Sequence, residues 1–266
     1  MNADCFFSIG STHRVCQDYA LANSQVPYAI VCDGCSGAPH TDVGARLLAV
    51  SAAQHIRRGN YLGGDIFNSV LSQVYTIGRA MELPIDALSS TIITLSVEDG
   101  CFCIRGVGDG AIIAKVKDSQ SIYLLEVRFP SGAPYYLRYE LSSRDRMNYR
   151  TAFSNEIQFV SYDNDGNELV DTREISTPSW ERSLSLEFYD LCAIASDGIR
   201  SFVSREVTET GIRNQPILPM EIVKEVMDFK GYQGEFVQRR CRKALARFAE
   251  RGWSYTDDFS LAVIAP

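Results

Sequence analysis

The sequence predicts an α+β fold, a β-sandwich with helices packed on its outside, and three observations carry that expectation. Short apolar runs bounded by turn residues recur along most of the chain, helical periodicity is confined to two separated pairs of segments, and Asp-Gly turns join neighbouring runs. Alternating βαβ units would instead place a helix after each strand.

The elements follow in order. Cys5–Ile9, a short run at Tyr19–Ala22 and Tyr28–Cys32 read as strands. Thr41 or Asp42 can cap a helix running to about Arg58, with Val43, Leu47, Val50 and Ala53 on one face, and a second helix runs from about Asp65 to Met81. Thr91–Val97 and Cys101–Val107 flank Glu98-Asp99-Gly100, whose Asp-Gly chemistry favours a tight hairpin. Ala111–Val116, Ile122–Val127, Ile157–Tyr162 and Leu191–Ala195 continue the strands, with Asn164-Asp165-Gly166-Asn167 as another turn. Pro219 to about Phe229 and Gln233 to about Arg251 form the second helical pair before a last strand, Phe259–Ile264. Phe129–Ser183 is the least regular stretch, polar and aromatic with Pro130, Pro134 and Pro178, and reads as strands with long loops or as a flap. No repeat or linker marks a boundary, so one domain over residues 1–266 is expected.

At 266 residues and 45% hydrophobic content the chain can bury a large core. No apolar run approaches the roughly 18–20 residues of a membrane span, and MNADCFFSIGSTH lacks the features of a secretory signal. The eight cysteines are irregularly spaced, with apolar neighbours around Cys5, Cys101, Cys103 and Cys192, as expected of reduced thiols. A soluble, cytoplasmic protein is expected. The net charge of -7 repels phosphate backbones and acidic lipid, so neither nucleic acid nor membrane is an expected partner. The densest basic cluster, Arg239, Arg240, Arg242, Lys243 and Arg247, reads as a solvated helix face or as a docking surface for an acidic partner.

Aspartates mark the ends of the apolar runs. Asp33 follows YAIVC, Asp109 follows CIRGVG, Asp197 follows LCAIAS, Asp257 and Asp258 precede FSLAVIA, and Asp18 precedes Tyr19–Ala22. A single such aspartate is usually a turn residue. Several converging at strand mouths repel one another and raise each other's pKa unless cations neutralise them, and oxygen ligands of this kind suit Mg²⁺ or Mn²⁺ rather than Zn²⁺. Glycine follows three of them, at Gly34, Gly110 and Gly198, where a missing Cβ lets backbone come close.

In this order SIGSTHRVCQDY, VCDGCSG with DVGA downstream, GVGDGA, ASDGI and TDDFSLAVI resemble the successive motifs of PP2C-type protein phosphatases, particularly the bacterial branch, from about Ile9 to Ile264. The resemblance implies an αββα sandwich with a binuclear Mn²⁺ or Mg²⁺ centre. It also implies attack by a metal-bridging water on phosphoserine or phosphothreonine in a phosphorylated protein, within a Ser/Thr kinase system. By motif position Asp33 looks like the bridging ligand and Gly34 supplies a carbonyl, while Asp197 and Asp257 look like the other direct ligands. Asp18 matches an acidic residue acting through water on the metals, and Asp109 matches a ligand of a third metal.

The chain departs from the family at three places. His13 stands where the family usually has a phosphate-gripping arginine, Cys35 and Ser36 replace the histidine region of the DGHGG loop, and Gln17 replaces a glutamate. Arg14, always charged and able to meet two phosphate oxygens, is expected to make the main phosphate contact in place of His13. Neighbours in an extended segment face opposite ways, so an inward His13 would turn Arg14 to solvent. These departures leave a catalytically weak or inactive binding module as the alternative, with an unrelated carboxylate-metal hydrolase such as a nuclease disfavoured by charge.

Other motifs read as incidental. Cys32 and Cys35 have CxxC spacing without two further soft ligands, and Cys241 to Arg247 has the CX5R spacing of cysteine phosphatases on a helical stretch. Gly106-x-Gly108-x-Gly110 is followed by a strand rather than the helix of a dinucleotide site. His40 and His55 read as a loop residue and a helix-face residue.

Overall fold

The computed structural model describes residues 1–59, 65–153, 156–162, 167–174, 179–208 and 211–266. In chain order the elements begin with β1 (Asn2–Ser8), β2 (Tyr19–Asn23), β3 (Tyr28–Cys32), α1 (Thr41–Arg57) and α2 (Asp65–Ala80). Two hairpins follow, β4 (Ile92–Glu98) with β5 (Cys101–Val107) and β6 (Gly110–Val116) with β7 (Ile122–Arg128). Next come α3 (Ser143–Ala152), β8 (Glu156–Tyr162), β9 (Glu168–Glu174), β10 (Trp180–Ser185) and β11 (Tyr189–Ala195). The chain finishes with β12 (Phe202–Thr208), β13 (Gly211–Pro216), α4 (Pro219–Val226), α5 (Phe236–Glu250), β14 (Trp253–Tyr255) and β15 (Phe259–Ala265).

The strands pair antiparallel into a seven-stranded sheet, β1-β15-β11-β6-β7-β8-β9, and a five-stranded sheet, β10-β5-β4-β3-β2. A small sheet, β13-β12-β14, precedes and follows the second helical pair. The two-residue period of a strand fixes the layers. Ile112, Cys192, Ile194, Ala262 and Ile264 face the core shared with Ile30, Leu95 and Ile104 of the five-stranded sheet. Their neighbours Ile113, Ala193, Leu261 and Val263 point the other way, onto Val223, Val226, Val237 and Phe248 of α4 and α5. Helices α1 and α2 cover the opposite sheet, which completes an αββα arrangement. Strands buried on both faces need apolar residues throughout, so the central ones read as unbroken runs.

Asp99 and Gly100 both take positive φ, 46° and 76°, as a tight Asp-Gly hairpin requires. The turn at Asn164-Asp165-Gly166, like Pro178, lies outside the described residues. The expected cap and face of α1 need correction. His40, at φ 59°, is the N-cap and makes no side-chain cap bond, whereas Thr41 is already helical and buried. The buried face is Gly44, Ala45, Leu48, Ala49, Ala52 and Ile56, while Val50 is exposed. Small residues win this face because the helix lies close to its neighbours: a Cβ on Gly44 would stand 1.7 Å from the Ala87 carbonyl oxygen.

Between Phe129 and Ser183 the described residues hold strands β8, β9 and β10, preceded by a covering segment, the flap, that carries helix α3, an element the sequence pattern does not predict there. Residues 130–153 fold around Tyr135, Tyr139 and Tyr149, with ring centroids 4.9–5.3 Å apart. The Tyr149 hydroxyl donates to the Ala133 carbonyl at 2.7 Å, and Arg138 ties the flap down through Ser89 at 2.5 Å and Asp86 at 2.9 Å.

Candidate active site

Four aspartates from four separate chain junctions line one cleft of about 430 Å³ at an edge of the sandwich: Asp33 after β3, Asp109 between β5 and β6, Asp197 after β11 and Asp257 before β15. Tyr136, Tyr139 and Phe153 of the flap line the same cleft, with Gly34 and Ser36 from the loop after β3. Asp18 is buried nearby, 1% exposed, with one carboxylate oxygen accepting from the Ser196 hydroxyl at 2.7 Å. Its other oxygen has no hydrogen-bond partner among the described residues.

Burial and mutual repulsion act together on these acids. Burial, then the charges of Asp18, Asp197 and Asp109, hold the Asp33 carboxyl well above the ordinary range. Burial followed by Asp197 does the same to Asp109 and raises Asp257. Burial, against the opposing hydrogen bond from Ser196, pushes Asp18 up to about 7. Burial and like charge thus act in the same direction on Asp33, Asp109 and Asp257, and added positive charge would favour their ionised forms.

Asp257 and Asp258 differ in role. Asp258 is buried, and its oxygens accept from the amides of Gly10 at 2.7 Å and Gln17 at 2.5 Å. It therefore clasps the loop before β2 onto the start of β15. Asp257 instead faces the cleft. His13 bridges the pair, its Nε2 3.4 Å from Asp257 and its Nδ1 3.1 Å from Asp258. Arg14 is exposed, and among the described residues it forms no ion pair or hydrogen bond. The structure thus brings His13 to the acids and leaves Arg14 at the surface.

The loop holding Asp33 is fixed from both sides. The Asp33 amide donates to the Thr91 hydroxyl at 3.2 Å, and the Thr91 amide donates to the Asp33 carbonyl at 2.8 Å. The Gln17 carbonyl accepts from the Gly34 amide at 3.2 Å, while the Gln17 side-chain amide donates to the Cys35 carbonyl at 3.2 Å and to the Thr41 hydroxyl at 2.6 Å. A glutamate has no side-chain donor for either bond. The Asp-Gly pair after β11 has a steric reason: a Cβ on Gly198 would stand 1.7 Å from the Asp258 carbonyl oxygen. Asp197 presents a carboxylate while Gly198 lets the junction before β15 come close.

The residues suit hard divalent cations in donor type, in crowding and in the unpartnered oxygen of Asp18. Among the described residues no three His, Cys, Asp or Glu side chains stand close enough together to hold a metal ion as they are placed.

A family profile described as Protein phosphatase 2C matches residues 10–229, spanning the Asp18, Asp33, Asp109 and Asp197 motifs. The chain belongs to the protein phosphatase 2C family. Solved protein phosphatases share its fold. A bacterial serine phosphatase aligns with TM-score 0.56 and 12% identity over 100% of this chain and 97% of its own. The serine/threonine phosphatase Stp1 from Staphylococcus aureus aligns with TM-score 0.55 and 12% identity over 100% and 95%. PppA, a key regulatory component of T6SS in Pseudomonas aeruginosa, aligns with TM-score 0.53 and 13% identity over 99% and 97%. A search of curated protein sequences finds no match.

Within this phosphatase fold the competing motifs fall away. All eight cysteines are free. Cys241 is fully buried in the α5 core, where burial holds its thiol well above the ordinary range. Cys241→Ser is expected to leave phosphatase turnover within about twofold while lowering stability by about 1–3 kcal/mol, because a hydroxyl replaces a thiol in an apolar site. Steady-state rates and urea melts check this; lost turnover in folded protein would revive a cysteine nucleophile. The Gly106-x-Gly108-x-Gly110 run is scaffolding: Trp180 packs on Gly106 and donates its indole N–H to the Gly108 carbonyl at 2.8 Å. Sequence reasoning missed Trp180, Thr91 and Ser196 as supports. Only Ser196, beside Asp197 in ASDGI, carried a local signal.

Proposed function

We propose that the chain is a Mn²⁺- or Mg²⁺-dependent protein serine/threonine phosphatase. The observation that carries this reading is the cleft itself, where carboxylates from four chain junctions face one another under an aromatic flap. Asp33, the Gly34 carbonyl, Asp197 and Asp257 would hold two cations, with Asp18 acting through water and Asp109 serving a third. When bound, such cations lower the pKa of a shared water and offset charge on the phosphate oxygens.

The chain's own residues then divide the work. Asp258 and Gln17 fix the loop carrying His13 and Asp18, Thr91 fixes Asp33, and His13 orients Asp257. Arg14, exposed and unpaired among the described residues, would be the guanidinium that meets a substrate phosphate. The flap tyrosines supply a wall for the peptide around a phosphoserine or phosphothreonine. A phosphorylated protein and its Ser/Thr kinase are the partners this implies. Pairing of β1 with β15 supports one domain over residues 1–266. The reading places it in the cytoplasm; among the described residues no helix is long and apolar enough to cross a membrane.

Phosphate release from a phosphoserine peptide in Mn²⁺ tests the proposal. No release by folded, metal-loaded protein would favour the second reading, a binding module with little turnover, which rests on His13 being engaged with Asp257 and Asp258. The two neighbours are separable by kinetics. Arg14→Ala is expected to raise KM for the phosphopeptide about 10- to 100-fold with kcat little changed, because it removes a charged contact worth about 1.5–3 kcal/mol. His13→Ala is expected to lower kcat instead, through loss of Asp257 orientation. The reverse split would assign the phosphate contact to His13.

A further inference from the structure

Away from the cleft, on the side of the seven-stranded sheet that α4 and α5 cover, the turn after α4 and helix α5 line a groove of about 290 Å³ that shares no lining residue with the cleft. Its walls carry Lys230, Arg239, Arg240, Lys243 and Arg247 around Phe229 and Phe236. Asp228 is the only acid lining it among the described residues.

Local pairing leaves much of this charge uncompensated. Glu225 alone serves three guanidiniums, Arg240 at 3.2 Å, Arg247 at 3.4 Å and Arg251 at 3.0 Å. Asp228 is shared between Lys230 at 2.7 Å and Arg240 at 3.5 Å. Arg239 donates only to the Gln233 carbonyl, and Lys243 has no ion pair among the described residues. Residues 219–251 hold eight Lys or Arg against five Asp or Glu, in a chain whose totals are 26 and 33. An excess of three positive charges therefore sits on the second helical pair and its turn, and the rest of the chain carries a net -10.

We propose that this groove docks an acidic peptide segment of a partner protein. Its size lies at the small end of ligand clefts, which span about 300–1,000 Å³, and so fits a few residues rather than a long surface. Buried Arg240 forms a fixed base, held by Glu225 and Asp228, while Arg239 and Lys243 are exposed at the walls. Phe229, partly exposed and backed by the core side chain Phe236 with ring centroids 5.2 Å apart, adds an apolar contact for the backbone or an aliphatic stem. A long polyanion is disfavoured, because beyond the groove it would meet the negative remainder of the surface. The proposal does not depend on the phosphatase reading, since it concerns binding at separate residues.

Fluorescence anisotropy with a fluorescein-labelled octaglutamate peptide tests it. A labelled single-stranded DNA octamer and vesicles of equimolar phosphatidylcholine and phosphatidylserine serve as rival polyanions. The wild-type protein is expected to bind the peptide more tightly than either rival. Arg239→Glu with Lys243→Glu is expected to weaken peptide binding about tenfold or more. Arg58→Glu with Lys117→Glu, the same charge change at exposed sites elsewhere, is expected to alter it by less than about twofold, since screened distant charges contribute little. No peptide binding, equal losses in both double variants, or a preference for DNA or vesicles would overturn the proposal. Circular dichroism confirms that each variant is folded before binding is compared.

Discussion

Asp33→Ala is expected to reduce phosphopeptide turnover by at least about a thousandfold at saturating Mn²⁺, since it removes the proposed bridging ligand and with it the paired cations. The fold should survive. The two bonds joining this position to Thr91 use the backbone of residue 33, which alanine retains. The lost carboxylate is also one that burial and its acidic neighbours disfavour, so the metal-free variant should melt no lower than metal-free wild type. Asp258→Ala makes the opposite contrast. It leaves the amides of Gly10 and Gln17 without their buried acceptor and should cost about 1–3 kcal/mol for each. Phosphate-release rates and thermal melts on the two variants decide between a ligand and a clasp. A near-wild-type rate for Asp33→Ala would mean that the centre lies elsewhere.

Chelation is expected to abolish activity and Mn²⁺ or Mg²⁺ to restore it, with a second readout in stability. Crowded acids destabilise the metal-free fold, and cations that bind only the native cluster relieve that repulsion. At a hundredfold excess over Kd a single bound ion contributes about 2.7 kcal/mol, which for a protein of this size corresponds to a rise in Tm of roughly 5–10 °C. Scanning calorimetry with chelator and with Mn²⁺ measures the shift. Full turnover in excess chelator, or an unchanged Tm across the series, would remove the metal centre from the account.

The parts of the fold that were legible in the sequence are those where burial dictates composition. β3, β11 from Leu191 on, and β15 apart from Ser260 are apolar because both faces are covered. β9 is exposed at every residue, so its sequence ELVDTRE answers to pairing with β8 and to solvent, and carries no core pattern. Helix α3 buries only Tyr149 and is likewise silent. On α1 a ranking by hydrophobicity favoured Val43 and Val50, whereas close packing favoured Gly44, Ala45 and Ala49. At the candidate site the carboxylate positions were visible as strand-end aspartates. What the sequence could not separate was the acid that faces the cleft from the acid that holds the loop, because Asp257 and Asp258 differ only in which way each side chain turns. The inward turn of His13 was hidden for the same reason: alternation requires His13 and Arg14 to face opposite ways, as they do, but does not say which of the two faces the acids.

β15 sits between β1 and β11 inside the seven-stranded sheet, and the residue just before its mouth clasps Gly10 across 248 positions of sequence. During synthesis the N-terminal loop, the Asp33 loop and the Asp197 turn all leave the ribosome well before the strand that joins them. Until that strand arrives the sheet lacks an interior member and β1 has no neighbour in it. Such distant pairings are slow to form, because a long loop must close before any contact rewards it. Until β15 pairs, the nascent chain therefore has no assembled cleft. The aspartates that line it come together only with that distant pairing.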